Sequence, residues 1–419
     1  MKVNIYIGKD SQGKTFVTLV NDHCCPVCPY VSIYFSAHLS GASFNSQHLY
    51  AQQMKFSLQY FYSKGIDLTK RAKSGRFLDR SEVDAFYTAC KFKAGNELSN
   101  VVSIHRYSDK TIQNAIHAGR ISEGRVKGAT SKGRVHRLAD FLSFLYTNIH
   151  ADYKVPEAVQ QRYEFTLSHL KNKLRTLKDF STVCIADGES LLPNKKFLHL
   201  LEIIKPDSDG NPFKSAKLRN YLIVAFLVET GIRRGALAKL KIGDCKFWGS
   251  FDEITITKTP DDKSDPRRFR AAQKTRPHRS LVLKPLMKEL KEYIDGVRSR
   301  YPASENHEFI FISEKNSQST SGQPLSLASI DKIFLKLSEA IGFKIHAHLL
   351  RHKWNEIFTE FAEANGIDNE QQEKLRNYLM GWNRDSQMNE IYNEAKIVQQ
   401  VKAFQQEWQE HMTGGGSNG

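Results

Sequence analysis

Four short pieces in the second half of the chain carry side chains that could do chemistry together. They are Thr230-Gly231-Ile232-Arg233, His348-Leu349-Leu350-Arg351-His352, Leu379-Met380-Gly381-Trp382 and Tyr392. Arg233 and Arg351 are permanently protonated planar forks, suited to gripping an oxyanion. His348 can move a proton near neutral pH. Trp382 can only donate a hydrogen bond, so it can position but not act as a base. The phenol of Tyr392, with a free pKa of about 10, becomes a nucleophile once it is deprotonated and oriented. It is the only tyrosine beyond Trp382.

Metal chemistry finds less support. His346, His348 and His352 are close in sequence, but no carboxylate or cysteine pairs with them. Cys25 and Cys28 form a lone CxxC preceded by His23 and Cys24, and no second pair lies nearby. Structural zinc needs four ligands, so the reading is free thiols in a reducing cytoplasm and no metal.

The elements that must hold these groups are mostly helices. Tyr50, Met54, Leu58 and Phe61 recur at helical spacing over 49–63. A second helix is expected from an N-cap at Ser81, a third through Leu138, Phe141, Leu142 and Leu145, and a fourth over Val159–Leu174. A weakly periodic stretch over 176–193 reads as a linker. Helices follow at 195–204 and 217–229, and Gly231 is expected to end the latter, with Arg233 at the turn into the next. EITITKT at 253–259, RSLVL at 279–283 and EFIFIS at 308–313 read as strands. Pro285 opens a helix, 327–341 is helical, and the HLLRH piece opens another.

The charge balance is strongly basic: 61 Lys+Arg against 45 Asp+Glu, net +16. Such a field favours polyanions, either nucleic acid or an anionic membrane. No terminal basic amphipathic helix with a clean apolar face is evident, so nucleic acid leads. The longest apolar run, Tyr221 to Val228, is too short to span a bilayer, and the N-terminus lacks an apolar signal core. Residues 105–137 carry Arg106, Lys110, Arg120, Arg125, Lys127, Lys132, Arg134 and Arg137 against Asp109 and Glu123. With Gly, Ser and Thr near 128–133, the segment reads as a flexible loop. All of these basic residues but Arg137 are candidate phosphate contacts.

The ordered set of four pieces resembles the tyrosine recombinase (phage integrase) family. Its hallmarks are a TGxR box, an HxLRH box, an LGH or related box and a nucleophilic tyrosine shortly after. The catalytic resemblance covers about 190 to 400, and Pro26 to Cys90 is similar to the helical core-binding domain that precedes it. Ala236 stands where an acidic residue is usual, Met380 where Leu is usual, and Tyr392 follows Trp382 at a slightly longer gap.

The resemblance implies a mainly α fold with a small antiparallel β-sheet, arranged as a two-domain C-shaped DNA clamp. The expected division is an N-terminal extension 1–40, a core-binding domain 41–178, a linker 179–193, a catalytic domain 194–411 and a flexible tail 412–419. It implies a site-specific recombinase or integrase of a mobile element, needing no metal or cofactor. Arg233 and Arg351 would neutralise the scissile phosphate, His348 would aid proton transfer, Trp382 would position, and Tyr392 would form a 3′-phosphotyrosyl bond. A lysine would protonate the leaving 5′-oxygen, Lys274 by preference and Lys258 as the alternative. The implied partners are double-stranded DNA with specific sites and three further copies of this chain. The tetramer would dock through a C-terminal helix bearing Ile397, Val401, Phe404 and Trp408. The implied location is the cytoplasm, at the nucleoid, with no membrane. A type IB topoisomerase-like enzyme and an accessory DNA-binding protein with a decayed site remain alternatives.

Overall fold

The computed structural model describes residues 2–9, 11, 15–93, 124–150, 154–176, 192–249, 252–259, 262–273, 275–316 and 319–383. The chain divides into two compact units, Met1–Ser181 and Thr182–Gly419. It is mainly helical with small antiparallel sheets, as expected. Among the described residues no helix is long and apolar enough to cross a membrane.

The first unit begins with an antiparallel hairpin, β1 (Asn4–Lys9) and β2 (Thr15–Val20), registered Asn4↔Val20 to Lys9↔Thr15. Helix α1 (Pro29–Ile33) runs into a π turn at Tyr34–His38. The rest is α2 (Phe44–Ser63), α3 (Leu68–Lys73), α4 (Arg80–Ala89), α5 (Gly128–His150) and α6 (Glu157–Thr176). Ala51, Met54, Leu58 and Phe61 of α2 meet Val135, Leu138, Phe141 and Leu142 of α5 in one core. The segment expected as an N-terminal extension, 1–40, contributes Val3, Val17, Leu19, Tyr34 and Phe35 to that same core.

Two expectations are corrected here. The N-cap of α4 is Asp79, not Ser81. Asp79 accepts from Glu82 N at 2.9 Å while Glu82 Oε2 accepts from Asp79 N at 3.0 Å, a reciprocal box that Ser81 cannot make. Residues 128–133 are not a loop but the first turns of α5. Ser131 Oγ there donates to Cys90 O at 3.0 Å, tying the helix start to the end of α4.

The second unit contains α7 (Asn194–Ile203), α8 (Lys217–Thr230), α9 (Arg234–Lys239), α10 (Lys284–Glu292), α11 (Leu327–Ile341), α12 (Ala347–Ala364) and α13 (Asn369–Met380). Its sheet has the order β3 (Cys245–Lys246), β4 (Glu253–Ile256), β5 (His278–Leu281), all antiparallel, with Ile256 opposite His278. The middle of helix α8, 221–228, is apolar all round, burying Leu222, Ile223, Val224, Phe226 and Leu227, and so forms the centre of the unit.

The expected strand at 308–313 is absent as a ladder. Phe309 to Ile312 are fully buried, and the segment instead makes isolated bridges, Lys241↔Phe309 on one side and Ile312↔Pro324 on the other. Its backbone is still satisfied, Ile310 N donating to Leu240 O and Leu325 N to Phe311 O.

Candidate active site

The three described boxes meet at one buried guanidinium. Arg351, in the first turn-and-a-half of α12, is only 2% exposed. Its Nη1 donates to Gly231 O at 2.7 Å and its Nη2 to Met380 O at 3.3 Å. The same guanidinium lies 5.6 Å from the Trp382 ring. One side chain therefore ties the end of α8, the start of α12 and the end of α13, each hydrogen bond from a charged donor contributing roughly 1.5–3 kcal/mol.

Glycine is required at Gly231 on two counts. Its φ of +62° is left-handed, and a Cβ there would stand 2.7 Å from Met380 Cε and 2.8 Å from the Trp354 ring. Trp354 Nε1 donates to Glu229 O at 3.0 Å, closing the same contact from α12. Arg233 then occupies the N-cap position of α9 with extended backbone, so its side chain leaves the chain at a turn. Helix α13 ends in the same way at Gly381, φ +63°, and Trp382 N donates to Asn377 O at 2.8 Å. Trp382 is 3% exposed.

His348 lies one residue into α12 past its N-cap, His346, whose Nδ1 accepts from Leu349 N at 3.1 Å. The His348 ring makes an edge contact with His352 at 4.4 Å. Loss of hydration, then the positive field of His352, Arg351, His346 and Arg233, pushes the His348 pKa down to about 4. Burial, His346 and Arg351 do the same to His352. Both rings are therefore neutral at physiological pH, and the positive surroundings make them weak bases. Among the described residues no cluster of histidine, cysteine and carboxylate could hold a metal ion.

Lys274 and Tyr392 lie outside the described residues, but the residues flanking Lys274 are held on both sides. A Cβ on Gly235, two residues past Arg233, would collide with Ala272 O. Arg276 N donates to Gly381 O at 2.9 Å. Ala272 thus packs against the helix that follows the first box, and Arg276 is bonded to the third box. Upstream, the buried Asp265 carboxylate takes Arg267 Nε at 2.7 Å and Arg267 Nη2 at 2.8 Å, and also Ala271 N at 3.2 Å. Lys258 is exposed beyond the end of β4.

Sequence reasoning missed this clasp and also His278, whose ring packs on Gly381. An Asp-x-Arg spacing and a lone histidine are too common to announce either.

The candidate phosphate contacts fare differently from one another. Arg106, Lys110 and Arg120 lie outside the described residues, whereas Arg125, Lys127 and Lys132 are exposed. Arg134 is turned inward: its Nη1 donates to Cys90 O at 3.0 Å and Phe92 O at 2.6 Å, and its guanidinium covers the Phe56 ring at 3.7 Å. That makes it an anchor for α5.

Comparison with known proteins agrees with this geometry. Residues 191–397 match the phage integrase family. Tyrosine recombinase XerA of Pyrococcus furiosus is 25% identical over 177 residues, 42% of this chain, and the match spans about half (49%) of that protein's length. In fold, the chain is similar to the XerH site-specific recombinase bound to a palindromic difH substrate in a post-cleavage complex. The TM-score is 0.51 at 17% identity, over 87% of this chain and 80% of that one. Residues 191–397 are thus a phage integrase family domain, and over part of its length the chain is similar to a tyrosine recombinase.

Proposed function

We propose that this protein is a site-specific recombinase that cleaves and rejoins DNA through a 3′-phosphotyrosyl bond to Tyr392, in the integration or excision of a mobile element. The observation that carries the reading is Arg351, which bonds Gly231 O and Met380 O and so holds three boxes around one guanidinium. A guanidinium has five N–H donors, so binding two carbonyls does not preclude gripping a phosphate. With Arg233 it would stabilise the charge that grows on the non-bridging oxygens in the transition state. The phenol oxygen of Tyr392 forms the bond to phosphorus, and its proton passes to the neutral His348. The bond to the 5′-oxygen breaks, and that oxygen takes a proton from a lysine ammonium. Rejoining runs the same steps backwards.

Lys274 is the lysine that the geometry favours, since Ala272 packs against the helix that follows the first box and Arg276 is bonded to the third box. Lys274→Ala should slow cleavage of an ordinary phosphodiester on the order of 10²- to 10⁴-fold. It should leave a substrate with a 5′-bridging sulfur nearly unaffected, because a thiolate departs without a proton. Sulfur rescue of Lys258→Ala but not of Lys274→Ala would reverse the assignment.

Double-stranded DNA carrying specific recombination sites is the proposed partner. Phosphate contacts fall to Arg106, Lys110, Arg120, Arg125, Lys127 and Lys132. Neutralising Arg125, Lys127 and Lys132 together should flatten the salt dependence of binding, by about 0.9 in logarithmic slope for each phosphate no longer neutralised. Arg134→Gln should instead cost about 2 kcal/mol of stability, by the loss of charged hydrogen bonds to two carbonyls. An unchanged slope in the triple variant would place these three side chains off the DNA. Assembly as a tetramer on paired sites, through the segment bearing Ile397 to Trp408, completes the reading. A nicked suicide substrate tests it directly: a recombinase accumulates a covalent adduct, and a decayed DNA-binding protein forms none.

A further inference from the structure

Ser, Thr, Asp and Asn are the usual residues at the start of a helix, because one short polar group satisfies an N–H of the first turn. Helix α12 starts instead on His346, whose Nδ1 accepts from Leu349 N at 3.1 Å. That bond settles the tautomer. A nitrogen that accepts cannot carry the hydrogen, so Nε2 of the neutral ring is an N–H donor. With Nδ1 turned to the backbone of α12, Nε2, at the distal corner of the ring, is turned away from it. His346 is exposed. Its ring lies nearly parallel to that of His348, with 15° between the planes and 6.5 Å between centroids. The start of one helix thus presents two imidazoles side by side, next to the arginines whose field reaches His348.

We infer that His346 binds the substrate strand, its Nε2–H donating to a non-bridging oxygen of the phosphate next to the scissile one, a role that rests on the reading of the chain as a DNA-cleaving recombinase. The separation of the rings selects the neighbouring phosphate. At 6.5 Å it is wider than the span of the oxygens on one phosphate and close to the step from one phosphate of a strand to the next. His348 and the arginines hold the scissile group, and His346 holds the adjacent one. The residue type fits this double duty. Lysine or arginine would bind a phosphate but has no acceptor with which to cap Leu349 N. Asparagine or serine would cap α12 and reach no farther. Histidine does both, with one nitrogen for each. Such a contact carries no sequence information. It fixes the direction of the strand through the site, and with it the line along which a nucleophile must approach the phosphorus.

The test pairs a change in the protein with a change in the DNA. His346→Asn keeps a cap for Leu349 N and removes the distal N–H, whereas His346→Ala removes both. Each is assayed on a nicked duplex carrying the cleavage site, located beforehand by sequencing the DNA of the covalent adduct. In matched duplexes a neutral methylphosphonate replaces the phosphate on one side or the other of the scissile group. The single-turnover rate of adduct formation is the readout. With wild type, one of the two replacements should slow cleavage about 10- to 100-fold, the worth of one hydrogen bond to a charged acceptor. His346→Asn should lose the same factor on the unmodified duplex, at an unchanged melting temperature, and then be indifferent to that replacement. His346→Ala should melt lower and show the same indifference. A purely structural role slows all the duplexes alike and gives no such non-additivity. If His346→Asn cleaves the unmodified duplex at the wild-type rate, or if its loss simply multiplies with that of either replacement, the inference is overturned and His346 is a helix cap alone. Wild type that forms no adduct on any duplex removes the recombinase reading, and this inference with it.

Discussion

Tyr392→Phe should abolish the covalent adduct with a suicide substrate and leave affinity for a half-site unchanged. The substitution removes one oxygen, and that oxygen makes the only protein–phosphorus bond in the proposed reaction. A missing nucleophile is not a weakened one, so the loss should exceed the 10²- to 10³-fold typical of deleting a single transition-state donor. The other tyrosines of the second unit are poor substitutes, each for a physical reason. Tyr293 is fully buried, and burial drives its phenol pKa far up. Tyr221 is pushed up to about 12, first by burial and then by Glu289. Tyr301 donates its hydroxyl to Glu314 O at 3.2 Å. Tyr378 alone is open, 60% exposed on α13. It lines a cavity of about 570 Å³ in which Glu370 and Glu373 offset Arg276 and Lys374, so no excess of positive charge draws a phosphate there. Peptide mapping of the wild-type adduct should therefore return Tyr392. An adduct that persists in Tyr392→Phe and maps to Tyr378 would refute the assignment.

The parts of the site that could be read in the sequence were those whose chemistry restricts the residue type. Two arginines, a histidine and a glycine before an arginine admit few substitutes, so their order along the chain carried information. Gly231 was expected to end a helix and does, because its left-handed φ and the Trp354 ring both exclude a side chain. The second duty of Arg351 was not legible. Its hydrogen bonds to Gly231 O and Met380 O join residues 120 and 29 positions away, and no local pattern records them. The same holds for Arg134, which looked like one more basic residue in a loop and is instead bonded to the carbonyls that end α4. Residues 308–313 misled for the opposite reason. An apolar run of strand-like composition is buried on all sides, and its hydrogen bonds are split between two neighbours instead of forming a ladder.

Asp265→Ala should be the most destabilising single change in the loop that leads to Lys274. The Asp265 side chain is fully buried and that of Arg267 is 6% exposed. The pair is a bidentate fork, with Arg267 N also bonded to Oδ1 at 3.0 Å. The remaining nitrogen, Nη1, donates to Ala238 O at 2.8 Å and Leu325 O at 2.9 Å, and the guanidinium lies 4.7 Å from the Phe309 ring. Removing the carboxylate leaves Arg267 as a buried charge without its counter-ion, a change that costs about 3–5 kcal/mol. For a unit of this size that lowers the melting temperature by roughly 10 °C. Replacing both partners with apolar residues, Asp265→Leu with Arg267→Met, should recover part of that stability, because the uncompensated charge is gone while the backbone groups the pair bonded stay without those partners. Cleavage should not recover with it. The apolar pair cannot bond Ala271 N, Ala238 O or Leu325 O, and those bonds hold the chain at 265–271 against α9 and the 325 turn. With that anchor gone, the residues just before Lys274 lose their fixed path past Gly235. Calorimetry and single-turnover cleavage on the two variants, both below their melting temperatures, separate the effects: a double variant that is folded and cleaves at the full rate would show that the clasp stabilises the fold and places nothing.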